Sequence, residues 1–427
     1  WLIIKSRESW LSFFQRKGIA ADAAKKLIDY FTFNSKSHDL NDCPFIPCMD
    51  GLCLMPALIA NSSVTRSLMS LFGSKKISQA SKGLNLTYPT SKRLVEDFLK
   101  EGIILQSDEI MHTPGRSSVS FLVNTDKFYS IGIQIELKKI SFILIDLLGR
   151  IKKERTILNL EYNNNTFSQI LSSLFNEFFN EIDKEIKDKI LGIGISFPGI
   201  VDRKKLKILD GINLNLKNID LNDIFKKYDL NVYLENDANA CIYSEKILGK
   251  AQKDENFVVI SIGSGIGAGV YINSHLHHGN NNLCGEFGHI SIDYSGKKCN
   301  CGNRGCWELY VSEIATEEEL NRVSTKELSF IFDKEQNKEF VEKYINFFSI
   351  GLSNILLTFD INNIIISGNL AKYIEKYQQD ILKNIQKNIF FKNYPLNILC
   401  SNLNERSSIL GAALIPISDF FNLVNSD

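Results

Sequence analysis

The stretch "GEFGHISIDYSGKKCNCGNRGCWE", Gly285 to Glu308, sets His289, Cys299, Cys301 and Cys306 within eighteen residues. Thiolates and an imidazole in that number suit zinc, which they bind tetrahedrally. Gly302 and Gly305 let the backbone bend between the last two cysteines. A single residue separates Cys299 from Cys301, so the spacing fits neither a C-x2-C nucleic-acid knuckle nor a C-x-x-C redox pair. Four protein ligands close the shell, so the expected metal is structural, one zinc ion per chain. The alternative is a set of buried thiols beside an unrelated histidine.

Outward from this stretch the chain reads as α/β. "YSIGIQIELKKISFILIDLLGRIKKERT" has the texture of successive strands, and "TFSQILSSLFNEFFNEID" that of an amphipathic helix. "ILGIGISFPGIVD" is a buried strand ending in a turn, and "NVYLENDANACIYSEKILG" a strand running into a helix. "FVVISIGSGIGAGVYINSHLHHG" predicts a strand hairpin. A long helical region over about 313 to 358 follows, then a strand–turn–helix in "INNIIISGNLAKYIEKY" and a final helix in "SSILGAALIPISDFF". Strands alternating with helices imply enclosed sheets with ligands at strand C-terminal ends.

Two further stretches carry chemistry. In "ENDANA", Asn236 and Asp237 stand where a strand turns into a helix. A carboxylate there can act as a general base, bind a hydroxyl, or simply accompany a helix cap. In "SIGSGIGAG", alternating glycines let backbone approach a phosphate or a sugar, or make a tight hairpin. His275, His277 and His278 in "HLHHGNNNLCG" read as a solvated or sugar-facing loop rather than a second metal site, and "DGINLNLKN" as another pocket-shaping loop.

The 427 residues suffice for two or three domains. Lys plus Arg equals Asp plus Glu, 49 each, so no global field draws the chain to nucleic acid or membrane, and any polyanion contact must be a local patch. No apolar run predicts a bilayer span. An odd number of cysteines, nine, and no signal-peptide pattern at the start predict a reducing, cytoplasmic setting.

The N-terminal part is less regular. Residues 1–60 form an extension of unknown role, with helical periodicity over 8–31, a hairpin pattern around Asp50-Gly51, and Cys43, Cys48 and Cys53 as ordinary thiols. Residues 61–125 read as three helices and two strands. A short helix with Ser78 as cap, the turn "NLT" and a longer helix "YPTSKRLVEDFLKE" make a helix-turn-helix pattern. Thr87 caps the longer helix, Gly102 stops it, and Val95, Phe98 and Leu99 face inward. Thr87, Tyr88, Thr90, Lys92 and Arg93 lie at its outward, N-terminal end. The following strands read as a wing with Arg116 at the tip, suited to a minor groove. The alternative is a small helical domain that contacts protein.

Together these features resemble the ROK family, named for repressors, open reading frames and sugar kinases. The resemblance spans about residues 62–427 and rests on E-x-G-H, C-x-C-G and G-C-x-E in the opening stretch, and on N-D-x-N at Asn236 and Asp237. It implies a winged helix-turn-helix followed by a two-lobed, actin-like (ribonuclease H-like, sugar-kinase) domain. The lobes are expected over 126–245 and 246–427, the last helix packing back on the first lobe. It implies zinc on His289, Cys299, Cys301 and Cys306, and sugar hydroxyls on Asn236, Asp237, Glu286, His289 and Glu308. Asp237 matches the catalytic base of the kinases.

The family's kinases open their first lobe with D-x-G-G-T. Here "IGIQIELKKI" puts Gln134 in place of the acid, Glu136 and Leu137 in place of the glycines, and Lys138 in place of the threonine. Phosphoryl transfer depends on positioning and charge stabilisation, so these changes disfavour it. "IISGNL" around Gly368 also departs from the kinases' nucleotide loop. The expectation is therefore a non-enzyme: a sugar-responsive transcriptional regulator, a repressor, assembled as a homodimer or a dimer of dimers, with operator DNA and a sugar or sugar phosphate as partners. Ser117, where the family's wing carries Arg or Pro after Gly-Arg, weakens the wing's charge. The alternative is an ATP-dependent, glucokinase-like sugar kinase carrying a DNA-binding domain.

Overall fold

The computed structural model describes residues 87–427 apart from 114, 115, 326, 422 and 427. The readings placed on residues 1–86, including the first two helices of the trio, lie outside the described residues.

Helix α1, Tyr88–Lys100, buries Val95 and Phe98 and exposes Tyr88, Lys92 and Arg93. Lys92 pairs with Glu96 one turn on, 3.6 Å away. Strands β1, Ile104–Thr113, and β2, Arg116–Val123, form an antiparallel ribbon in which Ile104 and Phe121 are buried, with β1 lying against α1.

Two sheets follow, and they share one plan. In the first, β3 (Tyr129–Glu136), β4 (Lys139–Asp146) and β5 (Ile151–Leu158) make an antiparallel meander. Helix α2, Phe167–Asn180, lays Phe167, Leu171, Phe175 and Phe178 on it, at helical spacing, with Phe178 stacked on Phe142. Then β6, Ile190–Phe197, adds in parallel to β3. A three-stranded flap, β7 (Ile200–Asp202), β8 (Lys207–Gly211) and β9 (Leu216–Asp220), precedes β10 (Asn231–Asn236), which completes the order β10-β6-β3-β4-β5. Ile131, Ile133, Ile193 and Ile195 are fully buried, because helices cover both faces of the central strands.

Helix α3, Asp237–Ile247, leads to the second sheet. Here β11 (Phe257–Ile262), β12 (Ile266–Ile272) and β13 (His275–His277) form the meander. Helix α4, Lys338–Phe359, precedes the two parallel additions, β14 (Asn363–Gly368) and β15 (Asn397–Cys400). Helix α5, Ser407–Phe421, then lies against β3 and β6 of the first sheet. It also packs on α3, where any side chain at Gly411 would meet the Ala240 carbonyl oxygen at 1.8 Å. The chain ends by adding β16, Asn425–Ser426, beside β13.

Three sequence expectations need correction. The helical region over 313–358 is broken into Glu313–Arg322, Leu328–Ile331 and α4. Ser324 takes a left-handed φ of 56°, and Asn337 donates to Glu319 across the break at 2.7 Å. His275–His277 is a strand, not a loop, and His278 after it is buried at 3% exposure instead of solvated or sugar-facing. The flap β7–β9 was read only as a turn and a loop. Among the described residues no helix is long and apolar enough to cross a membrane.

Candidate functional site

A cavity of about 290 Å³ opens at the C-terminal end of β10 and is walled by both sheets and the flap. Asn236 and Asp237 arrive from the β10–α3 corner, Gly263 to Gly267 from the β11–β12 turn, and Glu286, His289 and Glu308 from the opening stretch. The five residues expected to meet a sugar therefore come together in one cleft.

Their individual roles separate on inspection. The Asn236 side-chain oxygen accepts from the amides of Ala238 and Asn239, capping α3, while its nitrogen donates to Gly199. Asp237 stands next to that cap. Burial pushes its carboxyl up to about 7, against the lowering effect of the Ala238 amide, and the charges of Glu286 and Glu136 push it further. Near neutral pH it can thus accept or donate a hydrogen bond. Glu308 is buried, its Oε1 lying 3.3 Å from His289 Nδ1. A Cβ at Gly265 would stand 2.7 Å from Glu308 Oε2, so the glycine turn is what leaves room for that carboxylate.

Three further cleft residues are not singled out by the sequence: Asp210 and Asn213 of the flap, which lie within the pocket-shaping stretch "DGINLNLKN", and Asn239 of α3. Asp210 Oδ1 and Asn239 Oδ1 are buried without a hydrogen-bond partner, although both residues line the cleft. Unpaired acceptors at a cavity wall are what a hydroxyl-rich ligand would satisfy. Alternation could have flagged Asp210, a lone acid inside the apolar run "LKILDGI".

Beside the cleft, the side chains of His289, Cys299, Cys301 and Cys306 converge, all four ligand atoms within 4.8 Å of one another. The Cys301–Cys306 Sγ separation and the Cys299 Sγ–His289 Nδ1 separation are both 3.7 Å. Such edges fit a tetrahedron around a metal with bonds of about 2.0 to 2.3 Å. Burial pushes the Cys306 thiol up to about 11 and Cys299 well above the ordinary range, so a cation at the centre is what would hold them as thiolates. The loop is braced locally. Gly305, at φ 66°, passes so near Asp293 that a Cβ would meet its carbonyl oxygen at 1.7 Å. Trp307 is buried and donates from Nε1 to the Phe347 carbonyl of α4 at 3.0 Å.

A second cavity, of about 260 Å³, meets the first at Asp237 and Gly263. Its other walls bring Glu136, Glu313, Glu317 and Glu405. Glu136 and Leu137 stand at the β3–β4 turn, where Lys138 takes a φ of 58° and Lys139 pairs with Glu136 at 2.7 Å. Burial, together with the charges of Glu136 and Glu317, raises the Glu313 carboxyl despite a hydrogen bond from Asn369. No lysine or arginine lines either cavity among the described residues.

Residues 130–418 match the model of the ROK family. A xylose repressor of Bacillus spizizenii is 33% identical over 400 residues, covering 90% of this chain and 99% of that protein. The chain belongs to the ROK family. Among solved structures, a ROK family transcriptional regulator, homologue of the E. coli Mlc protein, aligns with a TM-score of 0.69 at 22% identity, covering 86% of this chain and 98% of that one. A ROK family glucokinase from Streptomyces griseus, in complex with glucose and AMPPNP, aligns with a TM-score of 0.55 at 24% identity, covering 67% of this chain and 98% of that one. These likenesses establish the actin-like ROK fold for the two lobes.

Of the residues expected at DNA, Thr87, Tyr88, Lys92 and Arg93 are exposed at the start of α1. Thr90 lies in the same helix and Arg116 opens β2; their side chains lie outside the description.

Proposed function

We propose that this ROK protein is a sugar-responsive DNA-binding regulator, a repressor of carbohydrate-utilisation genes, that binds an unphosphorylated sugar and does not phosphorylate it. The observation that carries the reading is the pairing of the two cavities. The first offers hydroxyl acceptors, Asp210, Asp237, Asn239 and Glu308. The second, where a phosphate chain would have to lie against the β3–β4 turn, offers four glutamates, of which Glu136 is paired with Lys139, and no lysine or arginine lines it among the described residues. A phosphate beside those carboxylates would be repelled, and charge stabilisation is most of what phosphoryl transfer asks of a protein. Xylose, which the B. spizizenii relative's name carries, is the first effector to test.

His289, Cys299, Cys301 and Cys306 would hold a structural zinc, supplying charge neutralisation for the thiolates and fixing the loop. His289 Nδ1 faces the cysteines while Nε2 lies 3.9 Å from Glu286 on the cleft side. One imidazole can therefore serve the metal and orient the sugar-facing wall. Thr87, Tyr88, Thr90, Lys92 and Arg93 would meet a major groove, with Arg116 at the minor groove, and a homodimer would place two such helices on successive grooves. Sugar closing the cleft changes their spacing only if it binds the two states with different affinity.

Coupled-enzyme turnover with ATP across a panel of monosaccharides tests the enzyme alternative. The expected result is no sugar-dependent ADP release above background. Release that disappears in Asp237→Asn would overturn the reading. A gel shift on the DNA upstream of its own gene should show a salt-sensitive band that xylose weakens.

A further inference from the structure

Glu235 precedes the sugar-side corner and is 2% exposed, yet it is saturated with donors. Its Oε1 accepts from the Asn236 amide at 3.0 Å and from Asn239 Nδ2 at 3.2 Å. Its Oε2 lies 3.0 Å from His278 Nε2 and 3.2 Å from Arg203 Nε. Burial opposes the charge, but His278, Arg203 and the Asn236 amide outweigh it and hold the carboxyl below its ordinary value.

These partners belong to different parts of the cleft. Asn236 and Asn239 come from the first lobe. Arg203 comes from the flap and also donates to Ser426 of β16 at 3.3 Å. His278 comes from the second lobe, and its carbonyl accepts from the Cys284 amide, closing the loop that carries Leu283 and Glu286 into the cleft. The bond to Asn239 has a direct consequence. With Nδ2 committed to Glu235, Asn239 must turn its oxygen the other way, and that oxygen is the buried, unpaired acceptor.

We propose that Glu235, held by His278 and Arg203, is a positioning residue that sets the Asn239 acceptor and locks the 279–286 loop to the β10–α3 corner, so that both walls of the cleft move as one. The proposal rests on reading the cleft as a sugar site. It assigns a role to His278 that neither its loop nor the metal cluster would suggest.

The test pairs xylose titration with hydrogen-exchange mapping of His278→Leu, His278→Gln and Glu235→Gln. His278→Leu keeps the bulk and removes the donor, while His278→Gln can restore one. A hydrogen bond to a buried charge commonly amounts to a factor of about ten or more in an equilibrium. His278→Leu should weaken xylose binding about tenfold and speed exchange in both 231–240 and 278–287. His278→Gln should recover most of both. Glu235→Gln, which exchanges one accepting oxygen for a donor, should loosen the same two segments and serves if His278→Leu fails to fold. Faster exchange confined to 278–287, unchanged affinity in His278→Leu, or no recovery in His278→Gln would overturn the proposal. If the wild-type protein titrates no xylose, the effector assignment falls, while the exchange maps still decide whether the two walls are joined.

Discussion

The β3–β4 and β11–β12 turns occupy the same place in their lobes, the first hairpin of a meander that then gains two parallel strands. They differ in opposite directions. The β11–β12 turn, Gly263 to Gly265, keeps the space that lets Glu308 reach the cleft. The β3–β4 turn is closed by Leu137 and Lys138, and its Glu136 faces the second cavity beside three other glutamates. One hairpin leaves open space at the first cavity; the other sets Glu136 among the carboxylates of the second. On the proposed reading, a fold shared with kinases serves sugar recognition without a cradle for a nucleotide.

Breaking the open turn should have the largest effect. Gly265→Val forces Glu308 from its position and should reduce xylose affinity a hundredfold or more, roughly two hydrogen bonds to a charged group. Isothermal titration checks this, and an unchanged Kd would mean that Glu308 is not a ligand. Stripping the proposed zinc comes next. Chelation should abolish the response to xylose while α1 still binds operator, because the cysteines brace the cleft wall and not the N-terminal helix. Simultaneous loss of both in a gel shift would show that the loop supports more of the molecule than its contacts with α4 suggest.

The pH dependence of Asp237 is smaller. Its folded-state carboxyl is raised to about 7, so the native state binds a proton that the unfolded chain releases near pH 4. Its contribution to stability is therefore lost as pH rises from about 4 toward 7. Asp237→Asn should flatten that fall and raise Tm at pH 8 by a few degrees. A thermal melt series from pH 5 to 8 checks the sign, and a lower Tm in the variant at pH 8 would contradict it. The smallest effect belongs to the closed turn. Leu137→Gly should leave xylose affinity within about twofold and create no ATP turnover, because the glutamates remain.

Much of this was legible in the sequence. The strand-into-helix at "ENDANA", the glycine hairpin and the convergence of His289 with three cysteines all rest on residue types whose chemistry is local, and they stand where their spacing placed them. The shared plan of the two lobes was not legible, because "GIQIELKK" and "SIGSGIGAG" share a topological position but almost no residues. Asp210 and Asn239 were hidden for another reason. Each belongs to an element whose own pattern explains it, a flap strand and a helix, and only the tertiary fold brings it to the cleft wall. His278 was misread because three nearby histidines look solvated. Its burial depends on Glu235, 43 residues earlier in the chain.

The central claim is that sugar and DNA act on one equilibrium. Linkage makes such coupling reciprocal, so operator DNA must change sugar affinity by the factor by which sugar changes operator affinity. Titrating xylose into the protein with and without operator measures this directly. The account predicts weaker xylose binding on DNA, by the same factor as the gel-shift response. Equal xylose affinity in the two titrations would contradict it.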